Sequence, residues 1–207
     1  MKGARKGCAP KEFTDWVALE NDDWKPSYPI DDPAVRKAVV DALYYEQRGL
    51  CVYCGRKIEL ENPGHSFHVE HFRPQHRYPE LQISFENLFL SCGHTDRSGD
   101  RSKICGTKKD RWFDEAEHVA PNYDCCTKRF SFRYDGSIRT AHPGDLAAQN
   151  MIDHLGLNHA ELKYDRAKII EKLDTEELDA SDFSNPSTGI SESYGHVACQ
   201  YLGTRLP

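Results

Sequence analysis

Two kinds of metal-binding chemistry lie close together near the middle of this sequence. Residues 68–71 read His-Val-Glu-His, between a Cys-x-x-Cys motif at 51–54 and further cysteines at 92 and 105. A carboxylate beside a histidine can pair a divalent cation with a base that titrates near neutral pH, a combination that hydrolyses phosphodiesters. Thiolates are ligands that structural zinc prefers. The pattern therefore predicts a hydrolytic site next to a structural zinc site.

Cys51 and Cys54 form the first half of the predicted zinc site, and the glycine that follows them permits a tight turn. A closed tetrahedral site needs two further ligands, which Cys92 and Cys105 are predicted to supply. His94 is the rival fourth ligand because it is close to Cys92, but thiolate-rich sites predominate among structural zinc sites. The remaining cysteines are predicted to be ordinary thiols: Cys8, Cys125, Cys126 and Cys199.

The predicted catalytic residues are His71, Glu70 and Asn87. Glu70 is a suitable oxygen ligand for Mg²⁺ or Mn²⁺, and His71 is the candidate base. Neighbouring strand residues point to opposite faces, so these two can share a site only at a bend or strand end, which Pro74 supplies. Asn87 can offer its carbonyl to the metal or orient the histidine. Arg73 can meet phosphate oxygens.

Composition restricts the class of protein. The chain has 207 residues, of which 38% are hydrophobic and 29% charged, as in soluble globular proteins. The sequence contains no apolar run of about 18 residues, so no membrane span is predicted. Eight cysteines without a visible secretory signal favour reduced thiols and a cytoplasmic protein. The net charge is −6, but residues 65–111 hold eight Lys or Arg against six Asp or Glu, which suggests a weakly positive cleft on an acidic body.

Flanking elements must position these residues. Segment 1–49 is predicted to be helical, with Asp32 and Pro33 opening a helix that Gly49 closes. Residues 50–114 form the predicted metal-binding core. Segment 115–173 is predicted to hold a supporting hairpin, turning at Asp135-Gly136, and two helices at 145–155 and 158–173. Segment 174–207 is polar and glycine-containing and is predicted to be an irregular tail.

The core resembles the ββα-metal, or HNH, endonucleases over about residues 50–112. That resemblance implies an α+β fold, with a zinc-stabilised ββα-metal core embedded in flanking α-helices. It also implies that His71 is the general base, that Glu70 and Asn87 hold a catalytic Mg²⁺ or Mn²⁺, and that the four central cysteines hold Zn²⁺. The predicted nucleic-acid contacts are Arg73, Lys108 and Lys109.

A narrower resemblance covers most of residues 1–173. Motifs such as Glu-His-Phe-Arg-Pro at 70–74, Cys-Gly-Thr-Lys-Lys at 105–109 and Leu-Gly-Leu-Asn at 155–158 resemble the HNH (PtuB-like) subunit of Septu-type and retron-associated anti-phage systems. This implies an ABC/SMC-like (PtuA-like) ATPase partner and, in retron systems, a reverse transcriptase with its msDNA. The expected substrate is nucleic acid, with DNA favoured over RNA.

Two departures from the HNH pattern concern the metal site and the zinc loop. Gly106 stands where many HNH proteins have a third metal-binding His or Asn. His68 can substitute for it or serve a packing or second-shell role, and both readings stay open. The long insert 93–104 is expected to contact substrate or partner through Arg97, Arg101 and Lys103.

Two other functional classes compete with the nuclease. One is a catalytically silent, zinc-stabilised module that binds nucleic acid and an ATPase. The other is a redox or metal-storage protein built on the thiols. Keeping Glu70, His71 and Asn87 together favours the nuclease, because a silent module has little need for this combination.

Overall fold

Short helices and two small sheets make up the computed structural model, which describes residues 1–61, 63, 66–93, 104–122, 126–175 and 178–204. The strands are β1 (Phe67–His71), β2 (Leu88–Cys92), β3 (Phe130–Phe132) and β4 (Ile138–Thr140). Within those ranges the α-helices are α1 (Lys11–Val17), α2 (Pro33–Glu46), α3 (Cys105–Lys109), α4 (Leu146–His154), α5 (Ala160–Thr175) and α6 (Gly195–Tyr201). The predicted α+β class is confirmed.

Helix α2 leads the chain into the core. The Asp32 side chain caps the helix by accepting from the amides of Ala34 and Val35, at 2.8 and 3.1 Å, as the sequence predicts. The helix ends at Glu46, and Gly49 then adopts a φ of +72°, which glycine takes without strain. The buried stripe of α2 consists of Val35, Val39 and Leu43.

Gln47 joins the end of α2 to the central sheet. Its side chain is fully buried, accepts from the Leu90 amide at 2.7 Å and donates to the Leu90 carbonyl at 2.8 Å. It also donates to the Leu50 carbonyl at 2.8 Å. Buried amides need such partners, and three bonds of this kind hold the chain in register as it reaches Cys51.

The central unit is a two-stranded antiparallel sheet with α3 packed on β2. In its register, His68 pairs with Ser91 and Glu70 pairs with Phe89. The pairing continues one residue beyond β1, where the Phe72 amide donates to the Asn87 carbonyl at 3.0 Å. Strand, strand and helix follow the ββα order expected from the sequence.

The C-terminal half packs against this unit. The predicted hairpin is confirmed, with Gly136 at a φ of +73° in its turn, and α4 and α5 occupy the two predicted helical segments. The prediction of an irregular tail is wrong for part of 174–207, since a 3₁₀ turn (Ala180–Phe183) and α6 form there. The polar composition of this segment gave no indication that Tyr194 and Val197 are buried. The Tyr194 amide also donates to the Gly55 carbonyl at 2.7 Å.

One large hydrophobic cluster joins α1, α2, the central sheet, the hairpin and α4 through α6. The four central cysteines belong to it, so the predicted zinc site lies within the core. The insert residues His94, Arg97, Arg101 and Lys103 lie outside the described residues. Among the described helices, none is both long enough and apolar enough to cross a membrane.

Candidate active site and metal centre

The fold brings four cysteines from three places into one cluster. Cys51 and Cys54 come from the turn before β1, Cys92 ends β2, and Cys105 begins α3. Their sulfur atoms all lie within 4.8 Å of one another, and all four residues are buried. The Cys92 amide also donates to the Cys51 sulfur at 3.3 Å, which fixes one thiol relative to the sheet.

The geometry of this cluster fits a tetrahedral metal ion. The Cys54 and Cys92 sulfurs are 3.7 Å apart, and a Zn–S bond of about 2.3 Å gives a tetrahedron edge of about 3.8 Å. Burial raises the pKa of the Cys51 thiol, but hydrogen bonds from the neighbouring thiols outweigh it and bring this pKa well below its usual range. A thiolate donor in a buried set of four sulfurs can bind a metal such as zinc. Cys105 completes the set, in the position for which His94 was the alternative.

The carboxylate of Glu70 is the buried centre of the second site. Its oxygen Oε1 accepts from the Tyr53 hydroxyl at 3.1 Å and lies 2.8 Å from the Lys109 ammonium. Its oxygen Oε2 lies 3.3 Å from Nε2 of His68. Burial raises the pKa of this carboxyl, but the bond to His68 and the Lys109 charge outweigh burial and lower it below its usual value. Glu70 is therefore ionised and presents Oε2 beside an imidazole nitrogen.

This donor arrangement fits a divalent cation. Two hydrogen-bond donors saturate Oε1, whereas the described partner of Oε2 is the ring of His68, whose Nε2 can offer a lone pair to a metal when the ring proton is on Nδ1. A carboxylate oxygen with an imidazole nitrogen is a common partial ligand set for divalent metals. The Glu70 side chain is 8% exposed and that of His68 33%, so the site is open to solvent on the histidine side.

His71, the last residue of β1, is held by one ring nitrogen. Its Nε2 lies 2.9 Å from the backbone carbonyl of Gln82. Because a carbonyl can only accept, Nε2 carries the proton, and the neutral ring leaves Nδ1 as the acceptor. The Tyr28 ring packs edge-on against the imidazole at 4.5 Å between centroids. Burial lowers the pKa of His71, although the Gln82 bond and the Glu70 charge oppose it, so the ring is neutral at neutral pH.

Asn87 fixes the loop that follows β1. Its Oδ1 accepts from the Arg73 amide at 2.7 Å, and its Nδ2 donates to the carbonyls of Arg73 and Leu81 at 3.0 and 3.2 Å. These contacts hold the backbone of the loop that follows β1, and none of them is with His71. Both roles considered for this residue, metal ligand and orienter of the histidine, stay predictions.

The predicted nucleic-acid residues differ in exposure. Arg73 and Lys108 are exposed, and the Arg73 guanidinium lies 5.6 Å from the centroid of the Phe113 ring. Lys109 is 2% exposed, and its ammonium binds Glu70 and donates to the His71 carbonyl at 3.2 Å. Lys109 was predicted to contact phosphate, but its side chain is buried. The reason is that the amphipathic turn of α3 directs Lys108 outward and Lys109 into the sheet. A pocket of about 220 Å³, lined in part by Arg73, Asn87 and His118, opens beside this loop.

Two residues of the site were not predicted. Tyr53, the donor to Glu70, lies inside the Cys-x-x-Cys turn, where nothing in its spacing distinguishes it from a core aromatic. Gln82 contributes only its backbone carbonyl, so the residue type carries no signal. Both contacts depend on tertiary structure.

This chain is similar to a known protein family and to a bacterial protein. The HNH endonuclease family matches residues 51–94, which include the Cys-x-x-Cys turn, β1 and β2. A protein of Vibrio cholerae serotype O1 biovar El Tor, named "Retron Vc95 putative HNH endonuclease", is 32% identical over 177 residues. That alignment covers 79% of this chain and 80% of the relative.

Proposed function

This chain belongs to the HNH endonuclease family, and from that premise we propose that it is a metal-dependent endonuclease that hydrolyses phosphodiester bonds of nucleic acid. The observation that carries the proposal is the orientation of His71. Its Nε2 proton is committed to the Gln82 carbonyl, and its neighbour Glu70 is an ionised carboxylate. The two residues are consecutive at the end of β1, and the charge of Glu70 opposes the effect of burial on the pKa of His71.

His71 acts as the general base in this proposal. Its Nδ1 accepts a proton from a water molecule, whose oxygen attacks phosphorus as the bond to the leaving sugar oxygen breaks. The Gln82 carbonyl stabilises the imidazolium that forms, since Nε2 continues to donate to it. Asn87 holds the backbone at Arg73 and Leu81, and so keeps the loop beside the base in place.

Glu70 provides the oxygen ligand for a divalent cation through Oε2. When bound, such an ion supplies charge that polarises the phosphate and stabilises the leaving oxygen. Lys109 keeps the carboxylate ionised and holds it in one orientation. Arg73 and Lys108, which are exposed, bind the phosphates of the substrate. The four cysteines hold structural Zn²⁺ and fix α3 against the sheet.

The biological setting follows from resemblance and is also a proposal. The name of the Vibrio relative supports a retron context. We place this chain in the cytoplasm as the nuclease of an anti-phage complex with an ABC/SMC-like ATPase, with DNA as the favoured substrate. The net charge of −6 supports such a partner, because an acidic nuclease benefits from a second protein that binds nucleic acid.

The proposal is tested by cleavage assays on wild type and His71→Ala. Plasmid DNA, single-stranded DNA and RNA are incubated with each protein in Mg²⁺ or Mn²⁺, alone and with the neighbouring ATPase. We expect cleavage by wild type and a loss of about 10²- to 10⁴-fold in His71→Ala. His159→Ala removes an exposed histidine outside the site and serves as the matched control. Equal cleavage by wild type and His71→Ala would refute the mechanism.

A catalytically silent binding module is the second candidate function. The observation that favours it is the buried ion pair of Lys109 and Glu70, which already neutralises the carboxylate. A silent module predicts nucleic-acid binding without cleavage of any substrate, with or without the ATPase. The same assay therefore decides between the two.

A further inference from the structure

A side chain on helix α3 at position 106 would require the ends of the Glu70 and His68 side chains to move. A Cβ atom added to Gly106 would lie 2.4 Å from Oε2 of Glu70 and 2.6 Å from Nε2 of His68. Real Cβ atoms do not approach other heavy atoms so closely. As a glycine, residue 106 contributes no side-chain metal ligand, and the space in front of it is filled by two side chains of β1.

Two contacts set the position of the helix. The Gly106 amide donates to the Ser91 hydroxyl at 3.0 Å, and Ser91 is the cross-strand partner of His68. The preceding residue, Cys105, is one of the four clustered cysteines. The close approach of α3 to His68 and Glu70 is therefore built into the central sheet and the thiol cluster.

His68 and Glu70 are two residues apart in β1, so they project from the same face of the sheet. Nε2 and Oε2 are separated by 3.3 Å. Two ligands on one ion, each at about 2.1 Å, lie about 3.0 Å apart in octahedral geometry and about 3.4 Å apart in tetrahedral geometry. The observed spacing matches that of adjacent ligands on a single ion.

We propose that His68 is the second protein ligand of the divalent metal, in place of a side chain on α3, and that the site prefers Mn²⁺ and related transition metals over Mg²⁺. This proposal rests on the proposed nuclease function in one respect, which is the role of the bound metal in cleavage. The ligand assignment itself rests on His68, Glu70 and Gly106.

The preference for a transition metal follows from the donors. Mg²⁺ favours oxygen ligands and keeps its water, whereas imidazole nitrogen suits metals of the first transition series, and Mn²⁺ also accepts carboxylate. Lys109, 2.8 Å from Oε1, partly cancels the charge of Glu70. An ion attracted by charge alone therefore gains little here, and the directed bond to the His68 nitrogen contributes more to binding.

The rival interpretation is that His68 only hydrogen-bonds to Glu70. Both interpretations predict damage when His68 is removed, so activity alone does not separate them. Weaker metal binding by an alanine variant does not separate them either, because losing a hydrogen-bond partner of a ligand also lowers metal affinity. A replacement that is itself a ligand but a poor hydrogen-bond donor to a carboxylate does separate them.

Electron paramagnetic resonance titration with Mn²⁺ measures binding without interference from zinc, which is silent. We expect wild type to bind Mn²⁺ and His68→Ala to bind it on the order of 10- to 100-fold more weakly, as for losses around other metal sites. His159→Ala should match wild type. Zinc content and circular dichroism confirm that each variant is folded. Equal affinity in wild type and His68→Ala, or no Mn²⁺ binding by wild type, would overturn the proposal.

His68→Asp separates a ligand from a hydrogen-bond donor. An aspartate can still bind a metal but replaces nitrogen with oxygen, so we expect retained Mn²⁺ binding and a lower ratio of the Mg²⁺ to the Mn²⁺ dissociation constant than in wild type. If His68 only supports Glu70, a second carboxylate should repel Glu70, and the variant should bind Mn²⁺ no better than His68→Ala. That outcome would contradict the ligand role.

The outcomes also separate this proposal from the proposed function. A protein that binds Mn²⁺ through His68 but cleaves no substrate would refute the nuclease and leave the ligand assignment intact. A protein that cleaves nucleic acid but binds Mn²⁺ equally well without His68 would refute the ligand assignment alone.

Discussion

Single hydrogen bonds decide what the residues of the site can do. His71 gives its Nε2 proton to Gln82, so Nδ1 is its basic atom. Asn87 uses its oxygen and both N–H groups on the backbone of Arg73 and Leu81. A histidine or an asparagine with other hydrogen-bond partners would have a different role. The chemical role of each residue in the site therefore depends on its hydrogen-bond partners.

Asn87→Asp tests the orienting role of Asn87. Aspartate keeps the acceptor for the Arg73 amide but loses both donors and places a charge near two carbonyls. We expect a loss of about 1–3 kcal/mol in the free energy of unfolding, slower cleavage and nearly unchanged Mn²⁺ affinity. Asn185→Asp, at an exposed turn, is the control. Tighter Mn²⁺ binding by Asn87→Asp would instead support a metal-ligand role.

Lys108→Ala tests the electrostatic contact with substrate. This side chain is exposed on α3, so its removal should weaken nucleic-acid binding and reduce the slope of log affinity against log salt by about 1.

Its neighbour Lys109 should behave differently, because it is buried against Glu70. Lys109→Ala is expected to lower thermal stability as well as activity. Identical effects of the two substitutions on stability would contradict the assignment.

At the scale of elements, α6 supports the Cys-x-x-Cys turn. Gly55 has a φ of +78°, and a Cβ there would lie 2.2 Å from the His196 ring. His196 is 2% exposed and packs edge-on against Phe132 at 5.3 Å. The tail that looked irregular in the sequence thus closes over the turn that carries Cys51 and Cys54.

Gly55→Ala measures this contact, with Gly144→Ala as a matched control. Gly144 has a φ of +79° but nothing within 4 Å of its Cβ position, so both variants carry similar backbone strain and only one carries the clash. We expect Gly55→Ala to be less stable than Gly144→Ala by about 1–3 kcal/mol in thermal or urea unfolding. Adding His196→Ala should reduce that difference. Equal stability of the two glycine variants would argue against the contact.

Local signals predicted some elements and missed others. The pairs Asp32-Pro33 and Asp135-Gly136 determine the local backbone conformation. The start of α2 and the hairpin turn could therefore be predicted from the sequence. The thiol cluster was predictable because its residue types admit few other uses. The closeness of Gly106 to His68 was not, because it depends on how α3 lies on β2. Buried Lys109 was misjudged for the same reason, since exposure is set by packing.

At the scale of the whole molecule, the thiol cluster joins the turn that follows α2, the end of β2 and the start of α3 within one core. Cys105→Ser should therefore reduce zinc below one equivalent per chain and lower the unfolding temperature, because a structural metal contributes to folding. Cys8→Ser, at an exposed thiol, should leave both unchanged. Full zinc content and normal unfolding of Cys105→Ser, measured by mass spectrometry and calorimetry, would contradict a structural zinc site.

Chemical rescue of the base tests the central claim most directly. Cleavage by His71→Ala is measured with and without added imidazole, beside Glu70→Ala and His159→Ala as controls. We predict that imidazole partly restores cleavage to His71→Ala, because it supplies the missing proton acceptor, and that it does not restore Glu70→Ala. Cleavage by His71→Ala at the wild-type rate without imidazole would contradict the account.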